Sequence, residues 1–171
     1  MLNFYLDASA LAKVYVKEKG TPAMSFLFDH VPLTRMMALI ISLSETISIF
    51  VRKKNGGLIT EILYRQTVAD FKEEIIRNPD FLKISATDDL VYDSMALIEK
   101  HSINATDAMI LQSCIDIAKA TRDGGNDLML ATSDRRLQTA VEAEGIRTIN
   151  PELDSLEKIE KLIQPLASDD N

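Results

Sequence analysis

Short apolar runs alternate along this chain with longer stretches of helical spacing, and no other feature constrains the fold as much. Leu2 to Leu6 reads as a strand that stops at Asp7. Ala8 to Lys19 has helical spacing and is expected to end at Gly20. Thr21-Pro22 predicts the cap and first position of a short helix to about Asp29, and Val31 to Thr34 reads as a short strand. Two long helices are expected next, Ala38 to Lys54 and Leu58 to Arg77. The second is closed by Asn78-Pro79. Phe81 to Ser85, Leu128 to Thr132 and Ile146 to Ile149 read as strands. They are interleaved with helices from Thr87 to His101, Ala105 to Arg122 and Asp134 to Glu144. Strands that alternate with helices predict an α/β layer fold with a mostly parallel central sheet flanked by helices.

At 171 residues the chain fits one domain. We read residues 1–150 as its body, and residues 151–171 as one amphipathic helix (Leu153, Leu156, Ile159, Leu162, Ile163) with a disordered end at Ser168–Asn171. The lone Cys114 excludes an intramolecular disulfide framework and reads as a small core residue. The longest purely apolar run, Met36 to Ile41, is far too short to span a bilayer, and Asp7 interrupts the start too early for a signal peptide. A soluble cytoplasmic protein is expected. Nineteen basic residues against 26 acidic ones give a net charge of −7. Such a field repels nucleic acid overall, so the positions of the acids matter more than their number.

Asp7 and Asp134 each follow a strand, where parallel α/β sheets bind ligands beyond the carboxyl ends. Both positions also suit simple helix caps. Glu45 and Asp107 lie among apolar and small residues, without a basic neighbour three or four positions away. An unpaired charge there is costly unless something neutralises it. Carboxylates about 4 Å apart repel by roughly 4 kcal/mol per pair at an effective dielectric of 20. One or two divalent cations would relieve that cost, and an all-oxygen donor set without Cys or His selects Mg²⁺ or Mn²⁺. His30 and His101 have no ligand-spaced neighbours, and no glycine-rich phosphate loop is present.

Four segments resemble PIN-domain nucleases in order and approximate spacing: Leu6-Asp7-Ala-Ser-Ala-Leu11, Ser42-Leu-Ser-Glu45, Asn104-Ala-Thr-Asp107-Ala108 and Thr132-Ser-Asp134-Arg-Arg-Leu137. The resemblance spans about residues 1 to 150. It implies a three-layer α/β/α domain and a metal-dependent ribonuclease with Asp7, Glu45, Asp107 and Asp134 as catalytic and metal-site residues. Ser9 and Thr132 would be supporting hydroxyls. It also implies a VapC-like toxin of a toxin–antitoxin system, held by a small antitoxin. The longer stretch between Glu45 and Asp107 and the added C-terminal helix depart from a minimal toxin of that kind.

Arg35, Arg52, Lys53, Lys54, Arg135 and Arg136 are candidate contacts for an RNA backbone. Arg52 to Lys54 would equally suit the negative end of their helix. The long helices 38–54 and 58–77 carry more apolar surface than a small sheet covers, which predicts a homodimer or antitoxin contact there. The alternative from another class is a catalytically idle module of the same fold that binds nucleic acid or protein. A phospho-acceptor domain fits poorly, because Asp7 is followed by Ala8 where an adjacent acidic pair is wanted.

Overall fold

Strand β1 (Leu2–Leu6) is buried on both faces and forms the middle of a five-stranded sheet. The computed structural model describes residues 1–163, so the end at Ser168–Asn171 lies outside them. The other strands are β2 (Met36–Leu39), β3 (Leu82–Ile84), β4 (Asp127–Ala131) and β5 (Arg147–Ile149), in the order β3-β2-β1-β4-β5. Every ladder is parallel, with Tyr5 beside Met37 and Leu6 beside Ala131.

Helices cover both faces, which is why these strands are apolar almost throughout. Phe4 and Leu6 point to one face. They pack with residues of α1 (Ala8–Tyr15), α2 (Thr21–His30), α3 (Ile40–Asn55), α4 (Glu61–Phe71) and α8 (Leu156–Ile163). Tyr5, between them, points to the opposite face, as the two-residue strand period requires. It packs there with α5 (Asp88–His101), α6 (Ala105–Asp123) and α7 (Arg135–Ala143). Ile159 and Ile163 of α8 are buried in the first cluster. No helix among the described residues is long and apolar enough to cross a membrane.

Three expected boundaries move. The strand expected at 31–34 lies instead at Met36–Leu39, after a 3₁₀ turn at Leu33–Arg35. Pro32 has no backbone N–H to give a ladder, and the unbroken apolar run from Met36 to Ile41 hides the point where strand becomes helix. The helix expected over 58–77 starts at Glu61 behind a Thr60 cap and passes into a π-helical turn at Lys72–Ile76. The first helix ends at Tyr15, and Gly20 caps the start of α2 rather than the end of α1.

Gly20 has φ +93°, and a Cβ there would stand 2.9 Å from the carbonyl oxygen of Pro151 and 3.0 Å from Lys13 Cδ. Nearby, the buried Lys13 ammonium holds Glu152 at 2.7 Å and Glu18 at 3.2 Å, tying the segment before α8 to α1. Gly20→Ala should therefore cost about 2 kcal/mol, from left-handed strain plus the clash with backbone. The urea midpoint measures it, and an unchanged midpoint would mean that this approach is not a constraint.

Candidate metal centre

The order β3-β2-β1-β4-β5 reverses direction between β1 and β4, and Asp7 stands immediately beyond the carboxyl end of β1. Parallel sheets open a crevice at such a switch point. Helix α1 starts right after Asp7, α3 follows β2 without a loop, and α7 follows β4 after two residues and its cap. Asp7, Glu45 and Asp134 thus stand near the carboxyl rim of one sheet, and Asp107, at the start of α6, is close enough to feel the charge of all three. Helix N-termini carry partial positive charge, which favours anions there.

Asp7 is buried and closely held. Its Oδ1 accepts from the Ala8 amide at 2.6 Å. Its Oδ2 accepts from Ser9 Oγ at 2.7 Å and Thr132 Oγ1 at 2.9 Å. Ser9 Oγ accepts in turn from the Ser133 amide, and Thr132 Oγ1 from the Asp134 amide. Both expected supporting hydroxyls therefore join the loop of β4 to Asp7. Asp134 accepts the amides of Arg136 and Leu137 on Oδ1 alone, while its Oδ2 accepts nothing among the described residues. Asp107 is held by Asn104, the cap of α6, whose Nδ2 donates to Oδ2 at 2.7 Å. Glu45 is half-buried on the second turn of α3, and Thr106 lies near enough to favour its charged form. Asp7 and Asp134 do cap helices, with oxygen capacity to spare.

The acids feel one another. Burial, then the charges of Asp134, Asp7 and Glu45, push the Asp107 carboxyl up to about 6. Burial and the Asp7 charge raise Glu45 as well. None of the four acids makes an ion pair among the described residues. Nor do three His, Cys, Asp or Glu side chains there already stand close enough to enclose an ion. Mutual repulsion opposes closer approach. The donor set itself fits a hard divalent cation: it is all oxygen, net negative, and fixed by one oxygen of Asp107 and of Asp134 while the other accepts no hydrogen bond among the described residues.

The basic candidates divide. Arg136 lies close enough to favour the charged form of Asp107, and Arg52 does the same for Glu45. Arg135 is exposed beside Arg136. Lys53 is engaged with Glu18, and Lys54 with Glu61 and the Tyr64 ring. Arg35 donates to the Leu2 carbonyl at 2.9 Å, at the amino end of β1 and away from the acids. Nothing in the sequence marks Thr106. Asn104 entered only as part of a motif, although Asn-x-x-Asp before an apolar stretch is a capping signal that marks the pair.

A parallel α/β sheet with acids gathered at its switch point defines the class. Compared with solved structures, the chain has a TM-score of 0.58 with PAE2754 from Pyrobaculum aerophilum, at 16% identity over 98% of this chain and 96% of that one. It has 0.57 with the sarcin–ricin-loop-cleaving toxin VapC20 of Mycobacterium tuberculosis, at 16% identity over 81% and 95%. A toxin–antitoxin complex from Klebsiella pneumoniae gives 0.54, at 16% identity over 87% and 98%. No protein-family model and no curated protein sequence matches the chain. The fold is the PIN fold expected from the four motifs, and VapC-type toxins are among its structural neighbours.

Proposed function

We propose that this chain is a divalent-cation-dependent endoribonuclease acting as the toxin of a toxin–antitoxin pair in the cytoplasm, with residues 1–150 as its nuclease unit. One observation carries the reading: four acids from separate elements, none ion-paired among the described residues, meet near one sheet rim, where burial and then their mutual charge raise the pKa values of Asp107 and Glu45. Asp7, Glu45, Asp107 and Asp134 would hold one or two Mg²⁺ or Mn²⁺ ions. Such ions, when bound, neutralise phosphate charge and make water more acidic. The chain's own part is positional. Ser9 and Thr132 fix the plane of the Asp7 carboxylate, Asn104 that of Asp107, and the α7 amides that of Asp134. Arg136 offers a cation beside them for the RNA backbone.

Likeness to VapC20 supports an RNA substrate, and likeness to the Klebsiella complex supports an antitoxin partner. Exposed Leu58, Ile62 and Leu63 at and after the α3–α4 turn give such a partner, or a second copy of the chain, an apolar surface. Incubation of a generic single-stranded RNA with the protein and Mn²⁺ or Mg²⁺ tests the reading. Cleavage should be stopped by EDTA and should fall about 10³-fold in Asp7→Asn and Glu45→Gln. Cleavage that survives both substitutions would remove the proposed site.

A further inference from the structure

A cleft of about 290 Å³ opens between the end of α5 and the start of α7, lined by His101, Arg135, Arg136, Thr139 and Ala140. Its position follows from the chain. Asp134 caps α7, so Arg135 and Arg136 are its first residues, and Thr139 lies one turn further on. Both arginines are exposed, and neither forms an ion pair among the described residues. At the α5 side Glu144 accepts from Lys100 and from His101 Nε2, each at 2.6 Å. A carboxylate acceptor fixes the His101 proton on Nε2 and sets the ring plane. The cleft itself is therefore lined by two arginines and a histidine and by no carboxylate, with the Lys100–Glu144 pair at its α5 edge and Asp107 and Asp134 next to Arg136, in a chain of net charge −7.

We propose that this cleft is a second phosphate subsite, taking a backbone phosphodiester of single-stranded RNA next to the one at the acids. The proposal rests on the nuclease reading and extends its site. Arg136 joins the two places, because it lines the cleft and also bears on Asp107. A polyanion held over the acids meets this cationic wall as it leaves them along α7. Attraction in a protein of opposite overall charge has to be local. The planar arginine forks suit phosphate oxygens.

Binding and cutting separate the possibilities. In EDTA, anisotropy of a fluorescein-labelled single-stranded RNA should show about fivefold weaker binding for Arg135→Gln and a smaller loss for His101→Gln, with the salt slope falling by about 0.7 for the lost arginine. Lys158→Gln, which removes a cation on α8, should bind within twofold of the unchanged chain. In Mn²⁺, the first two variants should raise KM and keep kcat within about twofold, the mark of an interaction made equally before and during reaction. Because Arg135 is exposed, its variant folds, and a thermal scan confirms it. Equal RNA affinity in Arg135→Gln and the unchanged chain would overturn the subsite, as would an equal loss in Lys158→Gln. RNA cut with unchanged KM in the arginine and histidine variants overturns the subsite but leaves the nuclease. Selective loss of binding in a protein that cuts nothing leaves the subsite and overturns the nuclease.

Discussion

Asp107→Asn should stop RNA hydrolysis, with a loss of about 10³-fold, and yet make the EDTA-treated protein more stable. The two effects have one origin. Asp107 is half-buried, with Asp134, Asp7 and Glu45 acting on it, and its pKa is pushed up to about 6. A carboxyl that holds its proton more tightly in the folded chain than in the unfolded chain favours folding at low pH. As pH rises from about 4 through 6, the unfolded form releases the proton first, so the folded state binds more protons and stability falls. Above pH 6 the ionised group is a net cost of about 1–2 kcal/mol after allowance for partial exposure. An amide at this position removes the charge and can still accept from Asn104 Nδ2. The thermal midpoint of the Asn variant minus that of the unchanged chain should therefore widen between pH 4 and pH 7. Addition of Mn²⁺ should raise the midpoint of the unchanged chain and leave the variant nearly where it was. Equal midpoints at every pH would show that the four acids do not strain one another.

The second large effect lies beneath the site. Phe50 is fully buried and meets Tyr15 edge-on at 6.2 Å and Phe71 at 5.7 Å, while those two rings are 5.4 Å apart. The three rings come from α3, α1 and α4. They lock the helix that carries Glu45 to the helix that begins after Asp7. Phe50→Ala removes one ring and leaves a cavity, with an expected cost of about 3–5 kcal/mol. Urea unfolding followed by circular dichroism measures it. A loss below about 1 kcal/mol would mean that the helices collapse into the space and that the aromatic contact does not set their separation.

The strands that frame Asp7 and Asp134 were legible because each apolar run is short and ends at a polar residue. Leu2–Leu6 stands where its pattern put it, and β4 and β5 differ only at their ends. Strand β2 was not legible. Met36 to Ile41 is apolar throughout, and neither the strand nor the helical period can be read from such a run. The π turn at Lys72–Ile76 likewise has no local signal, since its residues are ordinary helix formers. In the site, Glu45 and Asp107 stood out as charges without neighbours of opposite sign, and Asp7 and Asp134 by their place at strand ends. The basic residues did not sort themselves, because position in the sheet decides their use. Arg35 serves the Leu2 carbonyl at the far end of β1, whereas Arg136 lies close enough to bear on Asp107. His101 looked isolated because its partners, Glu144 and the start of α7, are more than thirty residues away in sequence.

Calorimetric titration of Mn²⁺ into the metal-stripped protein at neutral pH addresses the carboxylate site most directly. Saturable binding at or below millimolar concentration is expected, with near-complete loss of heat in Asp7→Asn combined with Asp107→Asn. No binding at millimolar Mn²⁺, or the same isotherm in the double variant, would contradict a metal centre built from these four acids.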